Sequence, residues 1–151
     1  DVLDRAASDS IFDSRDLARY DGGMMKFLHT MIRVHDLEKA KEFYRTLGLE
    51  LVRETEYPSG QFTLAFLKAP GDEGGEIELT YNWDRAEPYA VGDGWGHVAF
   101  AVEDIYATCD ALRAQGVVIK REPGPMKHGT TVIAFIEDPD GHLLELIERR
   151  S

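Results

Sequence analysis

Apolar and polar positions change rhythm along the chain in an order that then repeats. Residues 26–34 alternate as a strand does, and Asp36 stands where a helix N-cap belongs. Leu37, Ala40, Phe43, Tyr44 and Leu47 then recur at helical spacing, and Gly48 stands where a helix end favours a left-handed residue. Strands follow near 49–57, 61–68 and 76–81, separated by a Pro58-Ser59-Gly60 turn and a Gly71–Gly75 loop. A second strand–helix passage covers 95–102 and a helix from Asp104 to about Gln115, closed by Gly116. Three more strands are predicted near 117–121, 131–137 and 142–148, the last two joined by the turn Asp138-Pro139-Asp140-Gly141.

The two passages superimpose. His29 falls on His97, Val34 on Val102, Asp36 on Asp104 and Gly48 on Gly116, each displaced by 68 positions, while Glu78 falls on Glu145 after 67. The chain is therefore read as α+β, with two tandem βαβββ modules, 24–82 and 95–151, joined by a connector at 83–94. Each module is too small to bury a core alone, so the two are expected to form one curved, partly closed mixed sheet in a single domain. Residues 1–23 read as an extension, whose Ile11, Phe12, Leu17 and Tyr20 suit one short amphipathic helix.

With 43% hydrophobic and 30% charged residues, the composition is that of a soluble globular protein. A net charge of −11 argues against nucleic acid as partner, and no apolar run has the length of a membrane span. Cys109, the only cysteine, allows no internal disulfide, so a cytoplasmic, reducing location is expected. The acidic residues 1–23 do not match a signal or transit peptide, and the opening Asp1 leaves room for earlier residues in the encoded product.

Alternation places His29, Met31 and Arg33 on one face of the first strand, and Glu76, Glu78, Thr80 and Asn82 on one face of the fourth. In the second module His97, Ala99 and Ala101 share a face, as do Leu143, Glu145 and Ile147. A glutamate inside an apolar strand is rarely buried without a partner. Repetition of one His and one Glu at equivalent points identifies His29, Glu78, His97 and Glu145 as ligands of one divalent metal. Two imidazoles and two carboxylates suit Ni, Co, Zn, Mn or Fe and leave two octahedral positions open. Arg33 and Asn82 lie on the ligand faces and are candidate substrate contacts. His35, His128 and His142 do not repeat and are read as surface residues, while Trp95 and Met126 are read as packing residues.

His29-Thr-Met-Ile-Arg, IELTYNW at 77–83, GHVAFAV at 96–102 and GTTVIAFIEDPDGHLLELIE at 129–148 resemble the bacterial glyoxalase I (lactoylglutathione lyase) family of the vicinal oxygen chelate superfamily. The resemblance runs from about Met25 to Glu148. It implies isomerisation of the methylglyoxal–glutathione hemithioacetal to S-lactoylglutathione through an enediolate, in methylglyoxal detoxification. It also implies a homodimer in which His29 and Glu78 of one subunit join the other subunit's second pair. Histidine at the first ligand position points to Ni²⁺, with Co²⁺ next and Zn²⁺ a further possibility. Glu145 is implied as the base, with Glu78 serving the opposite face, and Arg121 and Lys127 as residues closing over glutathione. Within the same superfamily the rivals are a thiol transferase and an extradiol dioxygenase; a metal-free sequestering protein is the rival from another class.

Overall fold

The structure, a computed structural model, describes residues 25–149. The first module consists of β1 (His29–Arg33), α1 (Leu37–Thr46), β2 (Glu50–Tyr57), β3 (Phe62–Lys68) and β4 (Glu76–Asn82). The second consists of β5 (Val98–Val102), α2 (Ile105–Ala114), β6 (Val118–Pro125), β7 (Val132–Glu137) and β8 (Leu143–Glu148). The expected βαβββ repeat is thus present, and the amphipathic helix proposed within residues 1–23 lies outside the described residues.

Local chemistry explains both helices. Asp36 and Asp104 accept from the backbone N–H groups of Lys39 and Ala107, at 3.1 and 2.9 Å, satisfying donors that a helix start leaves open. Beyond the helices Gly48 and Gly116 take φ of +91° and +85°, the left-handed conformation anticipated for them. The sheet-facing side of α1 holds one surprise, Lys41, which is buried and pairs with Glu38 and Glu54 at 2.7 and 2.8 Å. Burial alone lowers an ammonium pKa, but these two carboxylates outweigh it and raise that of Lys41.

The strands form two four-stranded mixed sheets in the order β1-β4-β3-β2 and β5-β8-β7-β6, and neither closes on itself. In each, the first strand runs parallel to the last and the other pairings are antiparallel. β6 extends to Pro125, beyond the end at 121 expected from sequence, because irregularities at Ile119/Arg121 and Arg121/Gly124 let it absorb Pro123 and Gly124.

One core serves both modules. Val34, Ala40, Tyr44, Leu67 and Leu79 of the first join Ile105, Cys109, Ile136, Leu144 and Leu146 of the second in a single buried cluster. A polar clasp fastens the modules beside it. The Tyr44 hydroxyl donates to Asp138 Oδ2 at 3.0 Å, and His142 Nδ1 lies 2.8 Å from the same oxygen. Asp138 Oδ1 accepts from the backbone N–H groups of Asp140 and His142, while Asp140 Oδ1 accepts from His35 N. Burial, reinforced by Asp138, pushes the Tyr44 phenol well above its ordinary value, and burial likewise raises Asp140. His142 is therefore a buried structural residue, not the surface residue read from sequence. Trp95 packs edge-on against it as expected of a packing residue.

Candidate metal centre

The ligand faces predicted by alternation are present. In β1 Ile32 is buried while His29, Met31 and Arg33 are exposed, and Val34 continues the buried side. The parallel pairing of β1 with β4 sets Met31 against Glu78, and that of β5 with β8 sets Ala99 against Glu145. In both modules the histidine stands two residues before the partner of the glutamate. Strand alternation returns it to the same face, so each register makes a His–Glu pair.

The two pairs have nearly the same geometry. His29 Nε2 lies 2.8 Å from Glu78 Oε2, and His97 Nε2 lies 3.0 Å from Glu145 Oε2. The imidazoles are accessible, with side-chain exposures of 39% and 42%, whereas the carboxylates are largely covered, at 10% and 13%. Each pair thus brings one imidazole nitrogen and one carboxylate oxygen into contact, with the imidazole accessible. These donors suit a borderline transition-metal ion.

A third component repeats that sequence reasoning missed. Phe66 is registered against Glu78 and Phe135 against Glu145. Their rings meet the adjacent histidines edge-on, with centroids 5.7 and 5.4 Å apart. The displacement from Phe66 to Phe135 is 69 positions, so extending the repeat along the third strand of each module would have found them. An aromatic ring at the edge of each imidazole restricts where it can swing.

Arg53 and Arg121 are equivalent too, registered against Phe66 and Phe135, but they act differently. Arg53 stacks on Phe66 at 3.7 Å and makes two bonds, of 2.9 and 2.8 Å, to Glu76. That hydrogen-bonded guanidinium is the main reason the Glu76 carboxyl falls below its ordinary value. Arg121 instead donates to the carbonyls of Ile133, Pro125 and Gly124 at 2.7, 2.9 and 3.3 Å. Its guanidinium is thus occupied in shaping the β6–β7 hairpin. Lys127 is exposed in the turn of that hairpin, and Met126 beside it is exposed, not the packing residue expected.

Arg33 and Asn82 border a common cavity of about 590 Å³, whose lining includes neither His29 nor Glu78. The four ligand candidates, however, do not converge within one chain. Among the described residues, no group of three or more His, Cys, Asp or Glu side chains is placed to hold a metal ion. The physical reason is topological: the pairs belong to different sheets, each built around its own parallel strand pair. Each sheet therefore carries its own His–Glu pair.

Residues 26–146 match the family model described as the glyoxalase/bleomycin resistance protein/dioxygenase superfamily. The chain belongs to that superfamily, as the paired modules and repeated His–Glu pairs had already suggested. It is 57% identical to a probable lactoylglutathione lyase of Synechocystis over 129 residues, which cover 84% of this chain and 98% of the relative. A lactoylglutathione lyase of Haemophilus influenzae is 52% identical, with coverages of 84% and 95%. Within the superfamily the chain is thus a member of the bacterial glyoxalase I family. Among solved structures, glyoxalase I of Zea mays superposes with a TM-score of 0.78 at 41% identity, covering 83% of this chain. This chain spans only 45% of the maize chain. The trypanothione-dependent glyoxalase I of Leishmania major gives a TM-score of 0.71 at 35% identity, with coverages of 83% and 87%.

Proposed function

We propose that this chain is a metal-dependent lactoylglutathione lyase that isomerises the hemithioacetal of methylglyoxal and glutathione to S-lactoylglutathione. The observation that carries the proposal is the pair of equivalent His–Glu pairs, each incomplete as a metal centre among the described residues and each with an accessible imidazole. In a homodimer, His29 and Glu78 of one copy join the residues equivalent to His97 and Glu145 of the other around one ion. Ni²⁺ is the preferred ion, followed by Co²⁺ and then Zn²⁺. The identities of the bacterial relatives named for this reaction support the same substrate.

The chemical difficulty is to remove a carbon-bound proton next to a carbonyl. The ion supplies Lewis-acid stabilisation of the negative charge that develops on the substrate oxygens. Glu145 takes the proton from one carbon and returns it to the neighbouring carbon, so the reaction needs no external oxidant or reductant. A positioned base contributes about 10²–10⁴-fold to such a step. Glu78 serves the opposite face. Phe66 beside the first pair and Phe135 beside the second limit water on one side of each. Arg33 and Asn82 bind the glutathione part of the substrate. Arg121 shapes the hairpin that presents Lys127 to it, a less direct role than the contact expected from sequence. The absence of any possible internal disulfide supports work in the cytoplasm.

The test is to strip the protein of metal and restore Ni²⁺, Co²⁺ or Zn²⁺ separately. Thioester formation from methylglyoxal and glutathione is then followed by absorbance. Turnover restored most by Ni²⁺ is expected. Absence of turnover with every ion would overturn the proposal.

A further inference from the structure

The cavity beside Arg33 and Asn82 has a wall that the sequence motifs do not account for. It comes from the connector after β4 and includes Asp84, Arg85, Glu87 and Tyr89. The connector has no strand or helix periodicity, yet its side chains are closely engaged. Arg85 lies over the Tyr89 ring at 4.0 Å, and its Nε and Nη2 donate to the carbonyls of Glu87 and Pro88 at 2.9 and 3.3 Å. The cation–π stack fixes the ring, and the two bonds fix the loop that carries the guanidinium. The Tyr89 hydroxyl in turn accepts from Asn82 Nδ2 at 2.6 Å.

That arrangement determines what is left for a ligand. A phenol has one proton to donate. Among the described residues, the Tyr89 hydroxyl donates to nothing and Arg33 forms no ion pair. Asn82 lines the same cavity, with its amide nitrogen already committed to Tyr89. Arg33 and Tyr89 thus offer a fork and a single O–H to a carboxylate, while Asp84 and Glu87 supply negative charge nearby for an ammonium group. A cavity bordered by both signs of charge suits a zwitterion better than a simple anion.

Position supports the same ligand. Arg33 lies four residues beyond His29, and Asn82 four beyond Glu78, which is about 13 Å along a strand. That distance is comparable to the reach of a short extended peptide whose sulfur carries the reacting hemithioacetal carbon at the His–Glu pair. Gln61, at the rim, holds φ of +54°, and its carbonyl accepts from Trp83 N at 2.9 Å, which ties the β2–β3 turn to the start of the connector.

We propose that Tyr89 is a specificity-determining residue that binds the α-amino-carboxylate end of the peptide thiol, and that Arg85 is the positioning residue that holds it there. The inference rests on the lyase reading for the identity of the thiol, with the γ-glutamyl group as the end that enters the cavity. Its experiment can be separated from that reading because it uses binding of a ligand that does not react.

The full chain and its Tyr89→Phe variant, which keeps the ring on which Arg85 stacks, are titrated calorimetrically with S-methylglutathione and with S-methylcysteinylglycine. Loss of a hydrogen bond to a charged group predicts that Tyr89→Phe binds S-methylglutathione roughly tenfold more weakly. It should bind the truncated ligand as the parent does. In turnover assays the loss falls on KM and not on kcat. Arg85→Gln reproduces part of the effect while the melting temperature stays near that of the parent. Equal affinity of parent and Tyr89→Phe for S-methylglutathione would overturn the inference even if the parent turns over substrate. A parent that binds S-methylglutathione, loses affinity on Tyr89→Phe and yet shows no turnover with any ion would overturn the lyase reading alone. Failure of the parent to prefer S-methylglutathione over the truncated ligand would also overturn the inference.

Discussion

Behind the first His–Glu pair a guanidinium lies on the aromatic ring; behind the second it does not. Arg53 covers Phe66 and is gripped by Glu76, whereas Arg121, the same residue type at the equivalent position, turns to the carbonyls of its own hairpin. Two residues before Glu78 stands Glu76, and two before Glu145 stands Leu143. The donor pair and its aromatic neighbour keep one geometry in both modules while the support around them differs, charged in the first and apolar in the second. Identical registers fix the donors, because the parallel pairing dictates which side chains meet. The flanking positions are not so constrained. This division suits the proposed assembly, in which the first module reads the polar end of the substrate and the second carries the base.

The largest expected difference between the modules is catalytic. Glu145→Gln is expected to lower kcat by ~10²–10⁴-fold with metal content largely retained, while Glu78→Gln costs less. Equal losses in the two variants, measured at matched metal loading, would remove the functional asymmetry. Full activity of Glu145→Gln would remove Glu145 as the base.

The next effect concerns what joins the modules. Asp138 is buried and accepts from Tyr44, two backbone N–H groups and the His142 ring, so Asp138→Ala leaves several buried polar groups without a partner. A destabilisation of about 3 kcal/mol is expected from equilibrium urea unfolding. The parent should unfold in one cooperative transition, because one core spans both modules. Two separate transitions in the parent would show that the modules are independent units.

The smallest effect isolates the charged support of the first module. Arg53 holds the Glu76 carboxyl below its ordinary 4.5. A carboxyl with a depressed folded-state pKa contributes stability above its unfolded pKa and loses that contribution as pH falls through the folded value. Arg53→Gln should therefore melt slightly below the parent at pH 7, with the difference vanishing as Glu76 is protonated on acidification. The pair is solvent-exposed, so the shift is small and shrinks in salt. A difference that persists unchanged in acid would assign the effect of Arg53 to its stacking on Phe66 instead.

The parts of this arrangement that were legible in sequence are those governed by local rules. The caps Asp36 and Asp104, the glycines Gly48 and Gly116 and the faces of His29, Glu78, His97 and Glu145 follow from helix termini and strand alternation. Other features depend on partners distant in sequence. His142 has the look of a surface residue until Asp138, Tyr44 and Trp95 are placed around it. Lys41 interrupts the apolar side of α1, and only Glu54 on β2 together with Glu38 explains its burial. Gly124 and Pro125 resemble a loop because a bulged strand tolerates residues that a regular one does not. The role of Tyr89 is invisible in a connector without periodicity. The separation of the donors into two sheets is likewise not encoded by strand alternation, which fixes faces within a sheet but not the relation between sheets.

The claim that two copies of the chain complete one lyase site is tested most directly by complementation. His29→Ala and His97→Ala are each expected to be nearly inactive. Co-expressed with different affinity tags and purified as the mixed species, they form dimers in which one site is assembled from the intact first module of one chain and the intact second module of the other. Recovery of metal-dependent turnover and of bound metal in the mixed dimer, from near zero in either variant alone, is the predicted result. A mixed dimer as inactive as its parents would contradict the shared site.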